Sequence, residues 1–476
     1  MILLLSGLAL AQRPTEGGLF SFDSSDTVTS ADSPSGTVRV WYSTDGPNLV
    51  KQGDDDGNGV PDFVDEVGTT AEDVLGVYAD NGFRAPLSDA GRGGSEAMDV
   101  YLVDFGGNAD GNYSAEVCSS SPTQCSGFFV MENDFAGYGY ANVSTAIRVL
   151  TSHELFHAVQ AAYNADIEVW FSEGTAVWAE ELYDEENSDF LAFCDAYLED
   201  TGRSLNEPPA GPVPVFAYAT ALWWWYLSDR YGDDVIIELL EASETGGDLL
   251  ADMADIQAAR GGSLQADFST FARWNLASGR YSGAGPSYPF ASRIGPPVAE
   301  ASGAAIVDDN RFYPLAATYY TLEHGGGEVW FATEIDAPEL AFSLHGTTAD
   351  GDVTDALASF AGTTTPTALG DLPAGEYWLV GSNPTLAEDS TKVLTCLGSA
   401  SDVAACAPVE ADTGDTDTGG DTDDGGDGCG CDTGGRLGSG WMLGLVAVGV
   451  ARRGRPPAGR SRTGRGLRPR LAPPGR

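Results

Sequence analysis

The chain has 476 residues, of which 42% are hydrophobic and 10% aromatic, so it can bury sizeable cores and is not a disordered protein. Its formal net charge of -47 repels phosphate backbones, which excludes nucleic acid as an expected partner. Calcium and basic substrates suit this charge better. The folded part is more acidic still, because nine of the 24 lysines and arginines follow residue 451.

The first residues, 1–11, are expected to be a signal peptide. They are mostly apolar, and Ala9 and Ala11 precede Gln12 in the small-x-small pattern of a cleavage site. The stretch is short and lacks a basic leading region, so a disordered or buried N-terminal strand is the alternative.

An acidic loop at residues 54–65 carries oxygen side chains at positions 1, 3, 5, 9 and 12 and glycine at position 6. This is the pattern of an EF-hand calcium loop. Pro61 and the aspartate at position 12 depart from a true EF-hand, and Glu66 can substitute for that aspartate. The loop resembles the shorter calcium loops of secreted repeat proteins, which implies a structural role; an acidic turn without an ion is the alternative. The expected calcium ligands are Asp54, Asp56, Asn58, Val60, Asp62 and Asp65.

The periodicity of the chain predicts an α+β fold. The first half alternates strands with one helix, a helical region follows, and after Pro296 the short β-type runs indicate a small β-sandwich. The predicted strands are 37–43, 99–103, 128–131, 317–322, 328–332, 340–344 and 377–380. The predicted helices are 70–78, 143–163, 172–183, 219–231, 234–243, 248–259 and 264–277. Trp223, Trp224, Trp225 and Trp274 in the helical region are expected in the core.

The sequence His153-Glu154-Leu155-Phe156-His157 places two histidines four residues apart. On a helix such side chains lie one above the other and can share a cation, while Glu154 projects beside them. The motif predicts a zinc site with two histidine ligands and a general base.

A catalytic zinc takes a third protein ligand and leaves one position open for water. The other two histidines, His324 and His345, are expected to be ordinary surface or turn residues. Position 163, six residues beyond His157, holds Tyr163, which excludes a metzincin-type third histidine. A carboxylate is therefore expected.

Residues 170–176, Trp-Phe-Ser-Glu-Gly-Thr-Ala, resemble the Trp-x-x-Glu-Gly-x-Ala segment of zinc aminopeptidases and related gluzincins. The resemblance implies that Glu173 is the third ligand, delivered from the first turns of a second, antiparallel helix that Ser172 or its predecessor caps. The loop after His157 is a few residues shorter than in those relatives. Three other carboxylates compete: Glu168, Glu180 and Glu181. Glu180 and Glu181 are expected to lie on a solvated acidic face of the helix. The alternative for Glu180 is that it bonds to one of the zinc ligands and orients it.

The wider segment 42–281 is similar to secreted myxobacterial metalloproteases that are themselves assigned by motif. The similarity rests on residues 42–46 (Tyr-Ser-Thr-Asp-Gly), on residues 57–62 (Gly-Asn-Gly-Val-Pro-Asp) and on the two helices with the zinc motif. It implies a zincin-like peptidase domain, expected at 12–290, with a small sheet, an active-site helix and a helical subdomain. The β-sandwich is expected at 300–398.

In such a site, zinc held by the two histidines and Glu173 lowers the pKa of its water toward ~7. Glu154 then takes the proton and later passes it to the leaving amine. Tyr218 is the candidate hydrogen-bond donor for the oxyanion, and a core tyrosine beside Trp223 is the alternative.

The cysteine spacing suggests two short disulfide loops, Cys118 to Cys125 and Cys396 to Cys406, with Cys194 a buried free thiol; unpaired small hydrophobes are the alternative. Residues 399–435 are a Gly, Thr and Asp linker that cannot fold. Residues 436–453 are an apolar stretch ended by arginines, and Cys429 and Cys431 precede them. This arrangement resembles the MYXO-CTERM sorting tags of myxobacterial surface proteins. The basic tail 454–476 departs from such tags and is expected to be disordered.

The sequence therefore predicts a secreted or surface-attached zinc peptidase of the bacterial envelope, stabilised by calcium. The expected partner is a protein or peptide substrate, and no nucleic acid is expected to bind. The protein is expected to be a monomer that contacts a membrane only through its C-terminal segment. The alternative is a surface adhesion or scaffold protein with a structural or vestigial zinc site. A serine or cysteine hydrolase ranks last because the chain has no Gly-x-Ser-x-Gly motif.

Overall fold

The computed structural model describes residues 12–18, 20–120, 123–211, 214–283, 286–348, 351–386 and 389–406. The expected signal peptide 1–11, the linker from 407 onward, the apolar segment 436–453 and the tail 454–476 lie outside the described residues. Among the helices of the described ranges, none is both long enough and apolar enough to cross a membrane. The described chain is a mixed α+β fold, as the periodicity predicts.

Five strands near the N-terminus form one mixed sheet of order β1-β2-β3-β5-β4. The pairs β2–β3 and β3–β5 are parallel, while β1–β2 and β4–β5 are antiparallel, so β4 is an edge strand. Every residue of β5 is buried, because one face of the sheet packs against helices and the other against a small aromatic cluster. The strands are β1 (Val28–Asp32), β2 (Val38–Ser43), β3 (Met98–Val103), β4 (Gly111–Cys118) and β5 (Cys125–Glu132).

Two helices, α1 (Asp62–Asp80) and α2 (Val143–Tyr163), pack on this sheet, and α3 (Val169–Tyr183) packs against both of them. The bounds of α2 match the prediction, and the Asn142 side chain caps it by accepting a hydrogen bond from the Thr145 amide at 2.8 Å. The predicted helix 70–78 is too short, since α1 begins at Asp62, within the acidic loop 54–65.

The predicted start of α3 is wrong by three residues. The helix begins at Val169 with Glu168 in the N-cap position, so Ser172 lies in the first turn and is not a cap. The Ser172 hydroxyl instead donates to Gln160 Oε1 at 3.1 Å. The loop between α2 and α3 is consequently only residues 164–168.

Six further helices form the helical region. The predicted helix 219–231 is divided at Thr220, whose hydroxyl donates to the carbonyls of Ala217 and Trp170 at 2.6 and 2.8 Å. The four tryptophans of this region are buried, as predicted. The helices are α4 (Leu191–Leu198), α5 (Val215–Ala219), α6 (Ala221–Tyr231), α7 (Asp234–Ser243), α8 (Leu249–Ala259) and α9 (Leu264–Leu276).

Nine strands follow in two sheets of order β11-β10-β13-β8-β6 and β12-β9-β14-β7. The two sheets share one hydrophobic cluster, and Tyr319 and Trp378 pack into the main core of the helical region. The Tyr319 hydroxyl also donates to the Ala272 carbonyl of α9 at 2.8 Å. The strands are β6 (Ala301–Gly303), β7 (Ile306–Phe312), β8 (Ala316–His324), β9 (Gly327–Thr333), β10 (Ala337–Thr347), β11 (Val353–Gly362), β12 (Thr367–Leu372), β13 (Gly375–Asn383) and β14 (Thr391–Gly398).

The expected linker does not begin at residue 399. Residues Ala400–Cys406 form a helix, α10, which buries Val403 and is tied to β14 by the disulfide Cys396–Cys406. The disulfide Cys118–Cys125 is also present, and Cys194 is a buried free thiol, as the spacing predicted.

Candidate metal centre

Helices α2 and α3 bring three ligand-type side chains together. His153 Nε2 and His157 Nε2 lie 3.1 Å apart, and Glu173 Oε2 lies 3.3 Å from the first and 3.5 Å from the second. All three side chains are buried. The structure therefore places together the three residues that the sequence predicts as a metal-binding group.

The opposite edges of both imidazole rings are occupied by acceptors. His153 Nδ1 lies 2.9 Å from Glu180 Oε1, and His157 Nδ1 lies 2.8 Å from Gln160 Oε1. The Gln160 amide nitrogen donates to the Ser172 carbonyl and to Thr175 Oγ1, which fixes its oxygen toward the histidine. In neutral rings both Nδ1 atoms therefore carry the proton, and both Nε2 atoms present lone pairs to each other and to a carboxylate.

Such a convergence of three electron-pair donors calls for a cation between them. The three separations of 3.1 to 3.5 Å agree with the ~3.3 Å expected between ligand atoms each ~2.0–2.1 Å from a tetrahedral zinc. Among the described residues the group has three members, and no fourth ligand closes it. The donor set fits zinc with one position left open.

Electrostatics couple the members of this group. Although burial opposes its charge, hydrogen bonds to Glu173 and Glu180 and the charges of Glu180 and Glu154 raise the pKa of His153 well above the usual range. Burial likewise opposes the charge of Glu173, yet the two histidines lower its pKa far below that of an ordinary carboxyl. Glu173 is therefore ionised, which is the form in which a carboxylate binds a metal cation.

Glu180 is not part of a solvated acidic face, so that interpretation is wrong. Its side chain is buried, bonds His153 Nδ1 and accepts a hydrogen bond from Asn187 Nδ2 at 3.1 Å. Burial raises the pKa of Glu180 to about 7, against both hydrogen bonds. Of the competitors for the third ligand position, Glu168 accepts a hydrogen bond from Trp170 Nε1 and Glu181 is half-buried outside the group.

Glu154, the expected base, is buried beside the three ligand-type residues. Its Oε2 atom has no hydrogen-bond partner among the described residues. Burial is the main cause that raises the pKa of Glu154 to about 7, and the charges of Glu173 and Asp110 act in the same direction against both histidines. A buried carboxylate oxygen without a partner indicates that a proton donor belongs there.

Tyr218 lies at the centre and is not merely a core tyrosine. Its ring stacks on the His153 ring, with centroids 5.6 Å apart and 18° between the planes. Burial and the charges of Glu173 and Glu154 raise the pKa of Tyr218 well above its usual value. The hydroxyl therefore keeps its proton and can donate it in a hydrogen bond.

Two glycines let the elements of the centre approach. A Cβ at Gly174 would lie 2.3 Å from Thr220 Oγ1 and 2.5 Å from Trp224 Nε1, so the glycine after Glu173 permits α3 to pack on α6. A Cβ at Gly111 would lie 2.8 Å from Glu154 Oε1, which places the first residue of β4 directly against the expected base.

The centre opens into a cavity of about 790 Å³. The edge strand β4, the loop 133–140 and residues around the start of α4 form its walls. Among the described lining residues there are eight carboxylates and no lysine or arginine. These acidic residues are Asp104, Asp110, Glu132, Asp134, Glu154, Glu173, Glu180 and Asp189. Sequence reasoning missed Asp110 and Asp189, since no local motif marks them.

The acidic loop holds a second, exposed group, in which Asp54, Asp56 and Asp62 bring their carboxylates together. Asn58 Nδ2 donates to Asp56 Oδ2 at 3.2 Å and to Asp65 Oδ2 at 2.8 Å, so Asp65 joins the group through an amide. The Val60 amide donates to Asn58 Oδ1 at 2.7 Å. The structure therefore brings together three of the predicted calcium ligands, Asp54, Asp56 and Asp62, while the Asn58 side chain turns its amide nitrogen to the carboxylates of Asp56 and Asp65.

The prediction for the two remaining histidines is wrong in one case. His324 is half-buried and bonds the Gly327 carbonyl, as expected near a turn. His345 is buried in β10, where Nδ1 donates to the Thr354 carbonyl at 3.1 Å and Nε2 accepts from Ser343 Oγ at 2.8 Å. Burial lowers the pKa of His345 to about 4. It takes no part in the metal centre.

Comparison of the sequence with protein-family models finds no match, and comparison with curated proteins finds none either.

Proposed function

We propose that this protein is a secreted or surface-attached zinc-dependent peptidase of the gluzincin type, with a zincin-like domain and a β-sandwich. The observation that carries the proposal is the convergence of His153 Nε2, His157 Nε2 and Glu173 Oε2 beside a buried, unpaired oxygen of Glu154. Three protein ligands with an open position are typical of catalytic zinc, whereas structural zinc is closed by four.

Bound zinc supplies one property, the lowering of the pKa of a coordinated water from about 15.7 toward about 7. The chain supplies the proton transfer: Glu154 accepts the proton of the attacking water and delivers it to the leaving amine. Tyr218 donates a hydrogen bond to the oxygen that becomes negative as the carbonyl is attacked. Glu180 and Gln160 hold the two imidazoles in one tautomer and orientation.

The position of the cavity favours an extended polypeptide as substrate. Residues Gly111 to Tyr113 of the edge strand β4 line it, directly above Glu154. An edge strand can pair with an extended segment of another chain through main-chain hydrogen bonds. We therefore place the scissile bond between β4 and the metal centre.

We also propose that calcium binds the loop 54–65 and stabilises the start of α1. The loop ends at the first turn of this helix, and Asp62 both belongs to the carboxylate group and accepts hydrogen bonds from the Asp55 amide. Three carboxylates held close together repel one another, and a divalent cation removes that repulsion. The C-terminal segment 436–453 is proposed as the sorting signal that brings the protein to the cell envelope.

The test is a comparison of purified wild-type protein with Glu154→Gln, each measured for zinc content and for cleavage of a broad peptide mixture. We expect both to hold one zinc per chain and only the wild type to cleave. If the wild type holds zinc and no peptide is cut, the alternative of a scaffold with a structural site is correct.

A further inference from the structure

The walls of the cavity combine negative charge with apolar surface. Besides its eight carboxylates it is lined by Val149, Leu150, Ala192 and Phe193. Lysine and arginine are the side chains that match such a surface, since each has an apolar stem and a cationic end. A substrate residue of this kind buries its stem and brings its charge to the carboxylates.

Two of the carboxylates line the cavity together with one tyrosine, Tyr140. Tyr140 donates a hydrogen bond to Asp110 Oδ2 at 2.6 Å. Burial raises the pKa of the Tyr140 hydroxyl well above its usual value, and the charges of Asp110 and then Asp189 raise it further. Both carboxylates thus act on the same hydroxyl, although they lie on different segments of the chain.

Asp110 is also close to the chemistry. It immediately precedes Gly111, whose Cα faces Glu154, and its charge acts on Glu154, His153 and Tyr218. Asp189 acts on Glu180 from the other side. The two carboxylates therefore line the cavity beside the proposed general base and beside the residue that orients His153.

The cavity is a ligand site on independent grounds. Glu154 lines it and is only 6% exposed, and its Oε2 atom has no hydrogen-bond partner among the described residues. Bound zinc would offset the charge of Glu173 and its neighbours, whereas the described lining supplies no lysine or arginine beside the half-buried Asp110 and Asp189. A cationic group of the ligand therefore gains favourable electrostatic interactions in this part of the cavity.

Resting on the proposed peptidase function, we infer that the substrate is a polypeptide with lysine or arginine next to the scissile bond, read by Asp110 and Asp189. The carboxylates form charge-assisted hydrogen bonds with that side chain, and the apolar wall takes its stem. Acidic segments are rejected by like-charge repulsion.

The first measurement is the cleavage of a peptide mixture by the zinc-loaded wild type, with the residues on both sides of each cut read by mass spectrometry. Synthetic pairs that differ only in lysine against methionine at the preferred position then give the ratio of kcat/KM. We expect the wild type to prefer lysine by at least about tenfold, and Asp110→Asn or Asp189→Asn to lower that preference about tenfold. The control is Asp80→Asn, an exposed carboxylate at the end of α1, which removes the same charge far from the cavity.

A second measurement does not depend on catalysis. Glu154→Gln is titrated with fluorescent peptides of each pair, and we expect tighter binding of the lysine peptide, weakened by added Asp110→Asn and by salt. Cleavage without a preference for lysine contradicts the inferred specificity but not the peptidase proposal. The same holds if Asp110→Asn and Asp189→Asn both retain the preference of the wild type. Absence of all cleavage contradicts the peptidase proposal, and the binding titration then decides the inference, since equal affinity for the two peptides refutes it.

Discussion

His153 Nδ1 lies 2.9 Å from Glu180 Oε1, although the two residues are 27 positions apart in the chain. The contact joins α2 to the second half of α3 and leaves the other nitrogen of His153 directed at Glu173. A carboxylate that accepts from the far nitrogen orients the ring and increases its basicity as a ligand.

Glu180→Gln is therefore expected to weaken zinc affinity by about 10- to 100-fold. The measurement is competition with a chelator of known affinity. Glu181→Gln, the next residue on the same helix, and Glu168→Gln are controls that should leave the affinity within about twofold of the wild type. Zinc binding that is as tight in Glu180→Gln as in the controls would show that this contact only holds the helices together.

Tyr218→Phe removes a hydroxyl from the centre and leaves the ring that stacks on His153. Because the hydroxyl is proposed to stabilise developing negative charge, we expect kcat to fall by about 10²–10³-fold with KM and zinc content little changed. Tyr226→Phe, which removes a buried hydroxyl bonded to Asp267, is the control. Equal rates for Tyr218→Phe and wild type would remove Tyr218 from the mechanism.

Gly111→Ala tests the approach of the edge strand to the base. The added methyl would lie 2.7 Å from Leu150 Cδ1 and 2.8 Å from Glu154 Oε1, both ends of side chains that can move without unfolding the protein. We expect kcat/KM to fall about 100-fold through displacement of Glu154, with zinc retained. Gly139→Ala is a matched control in the same cavity, since its Cβ would meet no atom within 4 Å. A loss of equal size in both variants would contradict this explanation.

His345 makes the β-rich region sensitive to acid. Its pKa is lowered by burial to about 4 in the folded protein, whereas the unfolded chain binds a proton near pH 6.5. Between these two pH values the unfolded state binds more protons than the folded state. The contribution of neutral His345 to the free energy of unfolding is therefore fully present above pH 6.5 and is lost as the pH falls toward 4. The loss from this group reaches up to about 3 kcal/mol.

The measurement is urea unfolding at pH 7 and at pH 4.5, followed for wild type, His345→Gln and His324→Gln. We expect the difference in unfolding free energy between the two pH values to shrink in His345→Gln and to stay unchanged in His324→Gln. The same difference in all three proteins would show that other groups cause the acid sensitivity.

Arg13 anchors the N-terminal segment to the sheet. Its buried guanidinium pairs with Asp89, Asp99 and Glu116, the last through two hydrogen bonds of 2.8 Å. Arg13→Met leaves buried carboxylates without this cation and is expected to destabilise the protein by about 3–5 kcal/mol in urea unfolding.

Arg39→Met is the matched control for Arg13. Arg39 pairs with the half-exposed Asp32 at 2.6 Å, and we expect its loss to cost less than about 1 kcal/mol. If both substitutions lower the free energy of unfolding by the same small amount, water must solvate the carboxylates that Arg13 leaves behind.

The sequence alone determined the local features of this protein. The 3.6-residue period located α2 to the residue, and the i, i+4 spacing placed His153 and His157 on one face, because both signals lie within a few turns of one helix. The segment around Glu173 predicted a third ligand-type residue, and short cysteine spacings predicted both disulfides.

Only the tertiary structure decided which distant side chains share a surface. Glu180 and His345 are polar residues whose burial depends on what packs over them, so the sequence pattern wrongly left both in solvent. Asp110 and Asp189 line one cavity because the start of an edge strand and the approach to α4 converge around the metal centre, and no spacing along the chain encodes that. Helical periodicity is a property of neighbours in sequence, whereas the charge of a cavity is a property of neighbours in space.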